Sequence, residues 1–219
     1  RLRVIKLTAG VEMCGIVGYV GSRQAAPVLL EGLKRLEYRG YDSAGIAVGL
    51  EPIGIHRAVG RVADLMKVVP PDLEPTIGIA HTRWATHGGV TIENAHPHAD
   101  ALGRIAVVHN GIIENAGLLR ERLESEGVEF RSETDTEVLA HLFAKCMAED
   151  PDPVSAVSTA LKLVRGTWGV AVLFSALPDT IIAARNGSPL VVGLGEGETF
   201  LASDPHALVP YTRRVVYLE

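Results

Sequence analysis

The sequence is short of cysteine, of long apolar runs and of clustered positive charge, and each shortage excludes something. Only two cysteines, Cys14 and Cys146, occur in 219 residues. Two thiols in a chain of this length do not make a disulfide framework, which suits a reducing, cytoplasmic setting. No stretch reaches the ~18 apolar residues of a membrane span. The formal net charge is −5 and no Lys/Arg cluster occurs, so nucleic acid is a poor partner. Internal repeats, low-complexity tracts and obvious linkers are also missing. Residues 1–12 carry basic side chains near their start, but their apolar stretch is too short and too interrupted for a signal peptide. They read as an upstream start, a cloning remnant or a pro-segment, which makes 1–13 a leader and 14–219 the domain.

What is present suits one domain with a full core: 47% hydrophobic residues, with 23 glycines and 12 prolines as punctuation. Short β-rich runs at 14–20, 43–50, 53–59, 76–81 and 104–109 predict strands. A second group follows at 168–175, 180–184, 189–192, 199–202 and 215–218. Asn186-Gly187 is a hairpin-turn signal between two of these. Helices are expected at 24–37, where Leu29, Leu33 and Leu36 form a stripe, and at 153–164. Another runs from an Asn115 cap to Glu126 with Gly127 as its stop. A fourth, 136–148, puts Val138, Leu139, Leu142, Phe143 and Cys146 on one face, so Cys146 reads as core. Strands, then helices, then strands predict an α+β body: two antiparallel sheets covered by helices. Pattern alone leaves the strand order open.

The chemistry begins at Met13-Cys14-Gly15-Ile16-Val17-Gly18. A cysteine entering an apolar strand is ordinarily a small buried hydrophobe. Directly after a methionine it also reads as a nucleophile that becomes N-terminal, with thiol and base in one residue. A free α-amine titrates near ~7.7–8.0 and can cycle protons at neutral pH. With residues 1–13 attached, that nitrogen is an amide.

Four polar clusters accompany it. Tyr38-Arg39-Gly40-Tyr41-Asp42-Ser43 reads as a capped turn or a site. His81-Thr82-Arg83-Trp84-Ala85-Thr86-His87-Gly88-Gly89 follows a buried strand like a functional loop, and its arginine offers a planar fork for a carboxylate. In His109-Asn110-Gly111, Asn-Gly is a simple turn, or a side-chain amide and a backbone N–H aimed at an oxyanion. Ser132-Glu133-Thr134-Asp135-Thr136-Glu137 is a helix cap or an ammonium site. The histidines of Asn94-Ala95-His96-Pro97-His98, with His81 and His87, match no common zinc spacing, so no metal is assigned.

In this order these segments resemble the glucosamine-6-phosphate synthase family, in its class II glutamine amidotransferase domain, over residues 14–219. The resemblance implies an N-terminal-nucleophile hydrolase αββα sandwich that turns L-glutamine into L-glutamate and ammonia without a cofactor. Cys14 would be the nucleophile, and Asn110 and Gly111 the oxyanion hole. Arg83, Thr86 and His87 would take the substrate carboxylate and Asp135 its ammonium. Trp84 would shape the ammonia exit, and Arg39 would sit in a loop near the nucleophile. It also implies a C-terminal sugar-phosphate isomerase domain, absent from these 219 residues, and a homodimer at full length. The alternatives are the glutaminase part of another amidotransferase, such as amidophosphoribosyltransferase, or a silent glutamine-binding domain with a blocked Cys14.

Overall fold

The computed structural model describes residues 14–49, 51–85 and 88–218. The expectations for the leader 1–13 and for Thr86 and His87 lie outside the described residues.

The first strand, β1 (Gly15–Val20), leads into α1 (Ala25–Leu36), β2 (Ser43–Val48), β3 (Gly54–Val59), α2 (Val62–Val68) and β4 (Ile77–Arg83). A two-residue β5 (His98–Ala99) and the long β6 (Ile105–Ile113) precede three helices, α3 (Ala116–Ser125), α4 (Asp135–Glu149) and α5 (Pro153–Leu161). The chain closes with β7 (Gly166–Phe174), β8 (Ile181–Asn186), β9 (Val191–Leu194), β10 (Thr199–Ala202) and β11 (Val215–Tyr217). The strands form a seven-stranded sheet, β11-β9-β10-β1-β4-β2-β3, and a four-stranded sheet, β5-β6-β7-β8. Every pairing is antiparallel.

Strand alternation builds the layers. Successive residues of a strand face opposite ways, so Ile16 enters the core between the sheets and Val17 the core under α1. Likewise Val108 packs between the sheets, whereas Val107 packs against α4 and α5. The stripe of Leu29, Leu33 and Leu36 covers the outer face of the first sheet. Val138, Leu139, Leu142, Phe143 and Cys146 cover the second. The αββα order and the core role of Cys146 are as the sequence implies.

Three local expectations are corrected. Asn186-Gly187 is not a hairpin turn, because β8 belongs to the four-stranded sheet and β9 to the seven-stranded one. The glycine, at φ +87°, turns the chain from one layer to the other. Asn110-Gly111 is not a turn either; it lies inside β6, paired with Gly169 and Trp168 of β7. Asn115 does occupy the cap position of α3, but its side chain makes no cap bond there. Instead its amide reaches across to the Leu163 carbonyl and the Arg165 N–H. Two short elements, α2 and β5, seven and two residues long, are additions that the sequence analysis did not anticipate.

Phe143 has no exposed surface in the helix-side core. Phe143→Ala should cost about 3–5 kcal/mol through lost burial and the cavity left behind. Urea unfolding measures this, and a loss below about 1 kcal/mol would show that α4 is not part of the cooperative core.

Candidate active site

Cys14 sits where the central strand β1 begins. Its neighbour Gly15 pairs with Thr82 of β4, and the Gly15 N–H donates to Thr82 Oγ1 at 3.1 Å. A Cβ at Gly15 would lie 2.7 Å from that same oxygen, so a glycine is what brings the two strands this close. On the other side, the Ile16 N–H donates to Ser203 Oγ at 3.0 Å, just beyond β10. The start of β1 is thus held from both flanks. One residue past β4, the Trp84 N–H donates to Cys14 Sγ at 3.2 Å.

The second sheet contributes β6. Asn110 Nδ2 donates to the Cys14 carbonyl at 2.9 Å. Gly111 follows at φ +128°, where a Cβ would run into the Thr167 carbonyl, so only glycine fits. Asp135 opens α4, and its Oδ2 accepts the Ile113 N–H at 3.0 Å. The cap itself is Thr134, whose side chain accepts the Glu137 N–H. In the Ser-Glu-Thr-Asp-Thr-Glu segment, Thr134 caps the helix and Asp135 lines a cavity.

That cavity is lined by Cys14, Arg83, Trp84, His96, His109, Gly111, Thr134, Asp135 and Thr136. A cation and an anion from distant parts of the chain share it with the thiol. Arg83 is buried at 4% exposure, with Nη1 donating to the Gly89 carbonyl at 3.1 Å. Trp84 is partly exposed at the rim. Arg39 is not among the lining residues. Its guanidinium lies against Ser203 and 3.7 Å from Asp204, so it touches the same serine that steadies Ile16. A much larger cavity beside Arg57 and His141 shares no lining residue with this one.

Three residues matter that the sequence did not single out. Asp42 accepts the Ala85 N–H, stands 4.0 Å from Arg83 Nη1, and donates its own N–H to the Arg83 carbonyl at 2.7 Å. It anchors the segment after β4. Thr82 and Ser203 grip the start of β1. Asp42 and Thr82 stood inside quoted motifs, but only three-dimensional pairing shows what they hold.

Electrostatics explain what the thiol needs. Burial pushes the Cys14 thiol above its ordinary 9.0, and the Asp42 charge adds to this. The Trp84 N–H and the Arg83 charge oppose it without prevailing. The thiol is therefore protonated at neutral pH and needs a base. Among the described residues, no histidine or carboxylate is hydrogen-bonded to Sγ; its bonds go to the Trp84 backbone.

A buried group of histidines adjoins the cavity, and two of them, His96 and His109, line it. His81 and His96 stack at 4.2 Å, and His98 meets His96 edge-on at 4.7 Å. His96 Nε2 bonds Thr136 Oγ1 at 2.6 Å, His98 Nε2 bonds Thr134 Oγ1 at 3.0 Å, and His109 Nδ1 bonds Thr136 Oγ1 at 3.1 Å. Burial lowers His81 and His98 to about 3 and His96 well below its ordinary 6.5. They are neutral hydrogen-bonding groups at neutral pH. Among the described residues, no three His, Cys, Asp or Glu side chains converge to hold a metal ion.

The family described as "Glutamine amidotransferase domain" matches residues 81–210. Glutamine–fructose-6-phosphate aminotransferase (isomerising) of Symbiobacterium thermophilum is 56% identical over 211 residues, covering 94% of this chain and 34% of that protein. The enzyme of the same name from Thermus thermophilus is 57% identical over 208 residues, with the same coverage. The chain thus spans about a third of the length of the curated relatives it matches. Among solved structures, glutamine phosphoribosylpyrophosphate amidotransferase from B. subtilis, complexed with ADP and GMP, aligns at TM-score 0.76 and 28% identity. It covers 94% of this chain and 44% of that one. No described helix is long and apolar enough to cross a membrane.

The neutral histidines make the fold acid-sensitive. A group whose folded pKa lies below its unfolded value leaves the unfolded chain binding more protons, so stability falls as pH drops. For His81 and His98 the window runs from about 6.5 down to about 3. Each contributes a slope of up to about 1.4 kcal/mol per pH unit. His98→Gln should flatten the pH dependence of urea unfolding between pH 6 and 4 by up to one proton. An unchanged slope would mean that His98 is protonated in the fold.

Proposed function

We propose that this chain, which belongs to the glutamine amidotransferase domain family, hydrolyses L-glutamine to L-glutamate and ammonia through Cys14. One observation carries the reading: a cavity shared by the Cys14 thiol, the Arg83 guanidinium, the Asp135 carboxylate and Gly111 beside Asn110. Opposite charges in one cavity suit the α-carboxylate and α-ammonium of a free amino acid, and the thiol shares that cavity.

In the reaction, Cys14 Sγ attacks the side-chain amide carbon. Its proton passes to the free α-amine of the same residue, since burial keeps the thiol protonated and, among the described residues, no other base is bonded to it. The tetrahedral oxyanion takes hydrogen bonds from Asn110 Nδ2 and the Gly111 N–H. The ammonium of Cys14 then protonates the leaving nitrogen, ammonia departs, and water hydrolyses the thioester. Thr86 and His87, beside Arg83 in sequence, would complete the carboxylate contacts, and Trp84 at the rim would steer ammonia. Arg39 acts at one remove, through Ser203 and the backbone of β1.

We assign 14–219 to this domain and 1–13 to a leader that must be removed to free the amine. We also propose that ammonia is passed to fructose-6-phosphate by a following sugar-phosphate isomerase domain, in a cytoplasmic homodimer making glucosamine-6-phosphate. The name shared by relatives at 56–57% identity supports this acceptor, against 28% for the phosphoribosylpyrophosphate enzyme.

Every described element lies between Gly15 and Tyr217, so a chain beginning at Cys14 keeps them all. That chain should release glutamate from L-glutamine, and Cys14→Ala should abolish turnover. The chain still carrying residues 1–13 should be slower by something like 10²–10⁴, because a planar peptide nitrogen has no basic lone pair. Equal rates with both N-termini verified by mass spectrometry would refute the free-amine mechanism.

Asp135→Ala should mainly raise KM for glutamine, since it removes one charge of the amino-acid clamp. Its structural bond to Ile113 would be lost too, so folding is checked by circular dichroism. A folded variant with unchanged kinetics would reduce Asp135 to a structural tie.

A further inference from the structure

We infer that His81 is a positioning residue for catalysis: it fixes the orientation of the Asn110 side-chain amide so that its N–H groups, not its oxygen, face the nucleophile. This rests on the proposed role of Asn110 in the oxyanion hole, and it adds a residue from the opposite sheet that touches neither substrate nor thiol.

The argument starts from an acceptor whose chemistry is fixed. His81 Nε2 lies 2.9 Å from the backbone carbonyl oxygen of His109. A carbonyl oxygen only accepts, so Nε2 carries the proton. Its ordinary second candidate, Nδ1, has no hydrogen-bond partner among the described residues, which agrees with a bare nitrogen there. The ring is fully buried and neutral, so it does not carry both protons. The tautomer is thus set without reference to Asn110.

The same Nε2 lies 3.0 Å from the end of the Asn110 side chain. A donor nitrogen there requires Asn110 to present its oxygen. The amide nitrogen must then point the other way, where it lies 2.9 Å from the Cys14 carbonyl, a second obligatory acceptor. Two independent acceptors, the His109 and Cys14 carbonyls, fix one and the same flip. Nδ2 has two N–H groups; one goes to the Cys14 carbonyl, which leaves a second donor on the same nitrogen beside the nucleophile's own residue. Rotating the amide by 180° would set Oδ1 against the Cys14 carbonyl and an N–H against the N–H of His81.

His81 is also held on its own account. It stacks on His96 at 4.2 Å, and Thr136 Oγ1 holds His96 at 2.6 Å. The imidazole therefore has little room to tilt away from Asn110.

The test uses chains beginning at Cys14 and steady-state glutaminase kinetics. His81→Phe keeps the ring and its volume but deletes the donor. It should lower kcat by on the order of 10–10² with KM for glutamine changed less than about twofold, the pattern of a donor misplaced at the reacting carbonyl. His81→Gln carries an amide nitrogen near the Nε2 position and should restore most of kcat. His81→Asn, whose amide ends short of Asn110, should not, and this pair decides the matter if His81→Phe fails to fold. In an Asn110→Ala background, His81→Phe should cost no further activity, because the two act as one unit. Equal activity of the Gln and Asn variants, or a full His81→Phe penalty in the Asn110→Ala background, would overturn the inference and leave His81 as packing. If Asn110→Ala alone leaves kcat unchanged, the oxyanion role itself fails, which is a separate and separately visible result.

Discussion

The hydrogen bonds that cross between the two sheets at the Cys14 end are what the site depends on. Away from that end the layer between the sheets holds an apolar core, from Ile16 and Ile79 to Val108 and Leu173. Such packing sets a spacing but not an orientation of polar groups. At this end Asn110 of β6 reaches the Cys14 carbonyl, and His81 of β4 reaches both Asn110 and the His109 carbonyl. These contacts convert the spacing of two layers into a fixed relation between a thiol on one and a donor on the other. A catalytic geometry held to fractions of an ångström requires that kind of support.

The buried histidines bear the cost of this seam. Holding polar rings away from water is unfavourable unless they are bonded, and several ring nitrogens here have no partner. Neutrality limits the penalty: burial and mutual repulsion keep His81, His96 and His98 far below their ordinary 6.5. Thr134 and Thr136 supply hydroxyls that accept or donate as each ring requires. Both threonines flank Asp135, so the residues that satisfy the histidines also place the carboxylate. A change in the polar core therefore reaches the cavity wall within one residue.

Much of this was legible in the sequence, and the losses have physical causes. The layered fold, the core faces of α1 and α4, and the segments that meet at the cavity all follow from periodicity and motif. Asn110-Gly111 shows the limit. As a dipeptide it is a turn, yet here it lies in a strand, because pairing with β7 over nine residues outweighs local preference. Asn186-Gly187 fails for the opposite reason: its positive φ is real, but the partner strand belongs to another sheet. Asn115 stands at a cap position yet bonds across to the segment after α5. Long-range partners decide all three, and no local pattern contains them. The roles of Thr82, Ser203 and Asp42 were hidden in the same way.

The thiol's environment closes the chemical argument. Most cysteine nucleophiles gain reactivity from a neighbouring cation or histidine that lowers the thiol pKa. Here burial and Asp42 outweigh Arg83 and the Trp84 N–H, so the thiol is held above its ordinary value. That is a poor design for a pre-formed thiolate. It is a sound one for a thiol that gives up its proton only while attacking, to a base that is tied to it through three covalent bonds. A base so close needs no second residue to position it, which accounts for a cavity rich in histidine rings whose described hydrogen bonds bypass Sγ. The rings and Asp42 are committed to holding the backbone and the donors still. Among the described residues no side chain is hydrogen-bonded to Sγ, and the proposed mechanism gives proton transfer to the amine that Cys14 itself would carry once it stands first in the chain.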